Sequence, residues 1–421
     1  MTATKKQTPM FDWHKAHGAN IVEFGDYLMP VWYASARNEH LAVVTHAGLF
    51  DTSHMATIRV FGKDAYELLQ WCFTRNLDAC VGKDNAPLTD GKCVYGLFLD
   101  EHGHAIDDSI VYKIMDGEFM VEVNASMGGP VARHLAEQAK GRDVKVVDLT
   151  DKVGKIDIQG PAAIKTMAKL LKNPEVVFDK LPYFSAKGHF DPESPLAAQV
   201  QLHDGTPLLL SRSGYTGEVG FEMFVAREKT MMLWEAIMAA GEEFGLTACG
   251  LASRDSLRAG AVLPLSHQDI GHWPCINNPW PFALPMGPGA GFTKKFLGSA
   301  ALEKEAAGAE WTLTFVGHDL RKVEAHDAKV LLDGKEIGSV LTCVTDMAIG
   351  RHEGRIYSIA SPDKPAGLAI KGLCCGFIKV ASKLAPGTTV EIKDAKRTLP
   401  VVIETDVRPD RTARKALKNF L

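Results

Sequence analysis

The chain has 421 residues, 46% of them hydrophobic and 23% charged, the balance of a globular protein with enough length for two or three domains. Forty-seven Lys and Arg against 51 Asp and Glu give a formal charge of −4, so no basic field argues for nucleic acid or an anionic membrane. No stretch of about 18 uninterrupted apolar residues is present, and the start, Met1-Thr2-Ala3-Thr4-Lys5-Lys6, lacks a secretory apolar segment, so a cytoplasmic protein is expected. The eight cysteines include no Cys-x-x-Cys pair and are read as reduced and mostly buried.

In chain order, residues 57–62 alternate like a strand and lead into a helical pattern from Asp64 to Phe73. Segments 92–99, 105–114 and 118–123 read as three strands joined by short turns, which predicts an antiparallel meander. Strands at 144–149 and 153–159 follow, then Gly160-Pro161 and an amphipathic helix over 162–171. Two strands between Pro207 and Ala226 flank Ser213-Gly214-Tyr215-Thr216-Gly217, with a helix at about 228–244 and another beginning near Gly250. The Pro- and Gly-rich run from Pro274 to Gly291 predicts irregular backbone with a domain boundary shortly after it. Beyond Trp311 short strands dominate, including the Asp333-Gly334 hairpin signal, and a small β-barrel or sandwich fits.

Three constellations could carry chemistry. Asp107 and Asp108 are neighbours in a strand, so alternation predicts opposite faces and no paired-carboxylate dyad. Asp108 shares its face with Ile106, Ile110 and Tyr112, which makes it the carboxylate expected on a bulky apolar surface, in need of a hydrogen-bonding or cationic partner. From this segment alone, an exposed acidic pair near a hairpin end carries the greater weight. In Ser211 to Glu222, three glycines allow close backbone approach, and Glu222 could accept two parallel donors of a ligand; a Gly-rich hairpin with an edge glutamate is the alternative. Arg254 and Arg258 lie i and i+4 apart on one helical face, able to meet a ligand carboxylate or carbonyl, or else to form structural ion pairs. The glycines of 287–291 miss the dinucleotide and P-loop spacings and read as loop. His102, His104, His267 and His272 lack the company a metal site requires, so no metal is expected.

Taken in order, several blocks resemble the glycine cleavage T-protein family, the folate-dependent aminomethyltransferases. They are Thr8-Pro9-Met10-Phe11 with His14, Ala47 to Met55, Tyr95, Gly103 through Tyr112, Val123-Asn124-Ala125, Gln159-Gly160-Pro161, Tyr183-Phe184-Ser185, Ser211 to Glu222, Gly250 to Arg258, Gln268-Asp269, Asn278-Pro279 and Lys295 to Gly298. The likeness covers roughly residues 8 to 300 and weakens beyond. It implies an α+β, multidomain, three-lobed fold with antiparallel sheets, a folate-binding catalytic region over 1–300 in two interleaved lobes and a C-terminal β-barrel over 301–421. It places the family's catalytic aspartate on Asp108 and its pterin-holding glutamate on Glu222. It further implies that Met55, Tyr95, Asn124, Tyr183, Tyr215 and Arg254 line the folate pocket. The reaction implied is transfer of a one-carbon unit to tetrahydrofolate from an aminomethyl group on a lipoyl-bearing partner protein, or from a small-molecule donor.

Departures bear on the donor. Where the family reads Arg-Leu-Glu-Ala-Gly, this chain has Arg258-Ala259-Gly260-Ala261-Val262, and Pro281 follows Asn278-Pro279 where a glutamate is usual. Two other readings therefore stand beside aminomethyl transfer: a tetrahydrofolate-dependent demethylase of a sulfonium, methylamine or methoxy compound, and a folate-binding protein without catalysis.

Overall fold

The computed structural model describes residues 4–421 apart from 288, 290 and 307. The loop expected at 287–291 includes Pro288 and Ala290, which lie outside the described residues.

The meander forms as the alternation predicts. Lys92–Leu99, Ala105–Met115 and Glu118–Val123 pair antiparallel and continue through Ala56–Phe61 to Lys145–Asp148 in one five-stranded sheet. A six-stranded sheet runs Ala186–Gly188, Leu209–Ser211, Gly220–Ala226, Val153–Gln159, Ala47–Asp51, Leu246–Cys249, with only the last pair parallel. Each sheet keeps its own apolar core: Ile58, Val60, Val111 and Val121 on the first, Ile156, Ile158, Phe221 and Met223 on the second. These positions alternate with polar side chains that turn to the opposite face, as a period of two requires.

Beyond Gly298 a short helix, Ser299–Glu305, leads to a closed barrel ordered Trp311–Gly317, Leu373–Val380, Lys335–Asp346, Lys329–Leu332, Thr389–Lys393, Thr398–Ile403. The turn Asp333-Gly334 closes its hairpin with both residues at positive φ, the conformation that this dipeptide favours. The fold is therefore α+β with antiparallel sheets and a C-terminal barrel, and no helix among the described residues is long and apolar enough to cross a membrane.

Two expected helices are shorter than their patterns. The one at 162–171 spans only Ala163–Ala168, because Leu171 leaves to bridge Leu202. The one at 228–244 is helical over Thr230–Gly241, with 3-10 turns on either side. The first 45 residues add elements the pattern did not call: a three-stranded sheet and the helices Phe11–Ala16 and Ala36–Thr45.

The barrel is tied to the rest by buried charge. Arg408 reaches Asp346 at 2.5 Å and Glu218 at 3.3 Å, and His40 meets the other oxygen of Asp346 at 2.9 Å. A Cβ at Gly260 would lie 1.8 Å from the Asp346 carboxylate. The barrel thus supplies a carboxylate at the position where the family pattern carries an acidic side chain on the helix. Arg258 is fully buried and used in the same joint: it pairs with Asp269, with Asp255 at 2.6 Å and with Thr342 at 3.0 Å. Of the two roles open to it, Arg258 takes the structural one, with the Asp255 ion pair among its partners, and only Arg254 of that pair points elsewhere.

Candidate active site

Strand register builds two facing rows. Across the six-stranded sheet Phe50, Asp157, Glu222 and Ser211 lie side by side; across the other, Thr57, Glu122, Ile110 and Tyr95 do so. Lys155, two residues from Asp157 and so on the same face, joins them. Its Nζ lies 2.6 Å from Glu222, 3.4 Å from Asp157 and 4.0 Å from Glu122, with the Met55 sulfur at 3.4 Å. Ser213 donates its hydroxyl to the second oxygen of Glu222. Arg254 donates to Asp157 at 3.0 Å and its guanidinium sits 4.8 Å over the Tyr215 ring.

Three buried carboxylates face two cations, and protonation settles the imbalance. Burial pushes Glu122 up to about 8, only partly opposed by Lys155, so near neutral pH it is largely neutral. Burial also works to discharge Lys155, but Asp157, Glu222 and Glu122 overcome it and hold the ammonium above the usual lysine value. Thr57 donates to one oxygen of Glu122 at 2.9 Å, and the other oxygen has no protein partner among the described residues. Because Glu122 binds its proton more tightly folded than unfolded, its contribution to stability falls as pH rises from the unfolded carboxylate value, near 4.5, through about 8. Glu122→Gln removes that slope. Urea unfolding of both proteins across this range should show the variant gaining on the wild type as pH rises, and parallel curves would contradict the assignment.

The two aspartates alternate in burial, Asp107 buried and Asp108 half-buried, next to an irregular end of the strand pair. The pairing of Lys92–Leu99 with Ala105–Met115 slips between Phe98 and Leu99, so Phe98 faces Asp107 while Leu99 faces Ala105. The pairing with Glu118–Val123 begins only at Ile110. At this bulged end both carboxylates turn to one amide: Asn124 Nδ2 donates to Asp107 at 2.8 Å and to Asp108 at 2.9 Å. The alternation that separates their faces holds, and the two carboxylates are linked through Asn124, a connection the strand pattern alone does not show.

Asp107 is the fully buried member, also accepting from the Asn124 backbone at 2.9 Å and from Ser266 at 3.0 Å. The face expected to bury Asp108 thus belongs more to Asp107. Asp108 is half-buried, with the Tyr95 hydroxyl donating to its Oδ2 at 2.9 Å. Burial, then the charge of Asp108, raises Asp107; burial raises Asp108 as well, against its hydrogen bonds.

Every expected site residue falls around this space. Asp108, Asn124 and Tyr95 form one cluster, and Met55 and Glu222 belong to the Lys155 cluster. Tyr215 and Arg254 stand between them: Arg254 reaches Asp157, and Asp108 and Arg254 are both among the charges that act on the Tyr215 hydroxyl. Tyr183 lies under the Arg414 guanidinium at 5.1 Å; burial pushes its hydroxyl to about 12, with Arg414 opposing and Glu222 adding. Glu222 is 4% exposed and the other seven are half-buried, as side chains lining an accessible cleft should be.

The sequence reading missed Lys155, Asp157, Glu122 and Ser266. A signal existed for the first two: in Val153–Gln159, Lys155, Asp157 and Gln159 occupy every second place of a strand that is otherwise apolar, which means a polar face that must be paired or occupied.

Residues 10–273 match the family model described as the GCVT N-terminal domain. An aminomethyltransferase of Geobacillus sp. (strain WCH70) is 33% identical over 356 residues, 83% of this chain and 89% of that one. One from Streptomyces coelicolor is 34% identical over 364 residues, 85% of this chain and 90% of that one. Among solved structures, the glycine cleavage system aminomethyltransferase T from Bartonella henselae superposes with a TM-score of 0.72 at 25% identity, covering 95% of this chain and 96% of that chain.

Proposed function

Because the chain belongs to the glycine cleavage T-protein family and is a folate-dependent aminomethyltransferase of that family, we propose that tetrahydrofolate binds in the cleft between its two sheets with Asp108 at the reacting end. The observation that carries this reading is the half-buried Asp108 carboxylate, fixed by Tyr95 and Asn124 beside a fully buried second carboxylate.

The residues present fit a pterin. Each oxygen of Glu222 has one protein donor, from Lys155 or Ser213, which leaves lone pairs for an amino group and a ring N–H. The orphaned oxygen of Glu122 is a further acceptor in the same space. When bound, tetrahydrofolate supplies the nucleophilic nitrogen that accepts the one-carbon unit. Asp108 then stabilises positive charge developing beside it and takes up or returns a proton, roles for which a carboxylate with a raised pKa is suited. Tyr95 and Asn124 hold Asp108 in place, and Asp107 fixes Asn124 from the buried side. Met55, Tyr183 and Tyr215 exclude water from the reacting carbon. The donor under this reading is an aminomethyl group on the lipoyl arm of a partner protein.

The test is the mass of the folate product. Incubation with tetrahydrofolate and an aminomethyl-loaded lipoyl carrier should give the 5,10-methylene form and free ammonia. An inert carrier, with 5-methyl-tetrahydrofolate formed from a sulfonium, methylamine or methoxy donor, would overturn the aminomethyl reading in favour of a demethylase.

A further inference from the structure

Outside the cleft, one group of side chains has the composition and closeness of a metal site. Asp100 and His104 sit at the two ends of the tight turn that joins Lys92–Leu99 to Ala105–Met115, and His272 comes from the segment packed against it. One donor atom from each lies within 4.8 Å of the others. In sequence these histidines lack the Cys, His or carboxylate company that a metal site requires, and the folded turn brings Asp100, His104 and His272 together.

The arrangement is built. Asp100 Oδ1 accepts the backbone N–H groups of His102 and His104, each at 2.9 Å, which fixes the carboxylate and leaves Oδ2 for another partner. That oxygen lies 3.7 Å from His104 Nδ1, beyond a hydrogen bond, and Nδ1 is itself buried without a protein partner among the described residues. Two atoms with lone pairs face each other across a gap that a cation would fill. The His104 and His272 rings stand 4.3 Å apart, edge to face, and the two segments are already joined by the His104–Pro274 bridge and by Cys275 donating to Gly103. His272 is exposed, so an ion can enter and the ring can adjust inward.

We propose that Asp100, His104 and His272 bind one divalent transition-metal ion of the zinc class. Two imidazoles and one carboxylate match the ligand preferences of that class, and donors on a shell of radius about 2.1 Å lie roughly 3.4 to 4.2 Å apart, a small contraction from the present spacing. Three protein ligands leave a coordination position for water. The bound ion clamps the turn to the segment that begins at Ser266, whose hydroxyl holds Asp107 at 3.0 Å, so occupancy stiffens the far side of the aspartate pair.

The test is a cobalt titration of the full chain, followed by zinc competition. One equivalent of Co²⁺ should develop visible d–d absorption without thiolate charge-transfer bands, and zinc should displace it. His272→Ala, an exposed change that leaves the fold intact by circular dichroism, should weaken binding by about tenfold or more, and Asp100→Asn likewise. His326→Ala, on a remote exposed histidine, should bind as wild type does. No saturable cobalt binding, or equal affinity in wild type and His272→Ala, overturns the proposal.

Discussion

Replacing Lys155 with methionine should cost about 3 to 5 kcal/mol of stability, the range for leaving buried charges without their partner. Methionine keeps most of the volume of the lysine stem, so the loss isolates the charge. Glu222 loses its contact at 2.6 Å and Asp157 its contact at 3.4 Å, and both carboxylates are buried. Arg254 remains for Asp157 alone. The two sheets also lose an ammonium that lies within 4.0 Å of carboxylates of both. Glu122→Gln gives the contrast: that carboxyl already carries a proton near neutral pH, so its amide should change stability at pH 7 by less than about 1 kcal/mol. Adding Glu222→Gln to Lys155→Met should recover part of the loss, because the uncompensated anion is removed with the cation. Urea unfolding of the four proteins reads all three expectations. A Lys155→Met variant within about 0.5 kcal/mol of wild type, the ordinary range of an incidental substitution, would show that the ammonium does not join the sheets.

What sequence could convey about this molecule divides along physical lines. The meander over 92–123 was readable because short polar turns and period-two alternation are local properties, and the barrel hairpin at Asp333-Gly334 was readable for the same reason. Asp108, Tyr95, Asn124, Glu222, Tyr215 and Arg254 were named from the family's ordered blocks, and contacts join Asp108 to Tyr95 and Asn124, and Arg254 to Tyr215. The failures were non-local. Alternation separated Asp107 from Asp108, but Asn124, from the next strand's end, bonds both carboxylates. Arg258 looked like the companion of Arg254, yet its partners Asp269 and Thr342 come from later in the chain. The acidic residue that the family pattern carries is missing at Gly260, and Asp346, more than eighty residues later, packs its carboxylate against that glycine. The carboxylate that completes the His104 and His272 pair was four residues from His104 in sequence, but only the folded turn shows its free oxygen.

Asp108→Asn should lower turnover by about 10²- to 10⁴-fold, the usual worth of a positioned acid–base group. Asparagine keeps the size of the side chain and an oxygen that can still accept from Tyr95, while removing the charge that stabilises the reacting centre. Glu222, Lys155 and the aromatic lining are untouched, so the affinity for tetrahydrofolate should stay within roughly threefold of wild type, as expected when a group acts on the transition state more than on the bound ground state. Asp107→Asn should cost less turnover, since Asp107 is fully buried while Asp108 is the carboxylate exposed to a ligand. The decisive measurement is a single-turnover rate for Asp108→Asn at saturating tetrahydrofolate, taken beside a direct binding titration. Near-normal binding with a rate at least about a hundredfold lower is the predicted result; a wild-type rate at saturation would remove Asp108 from the chemistry.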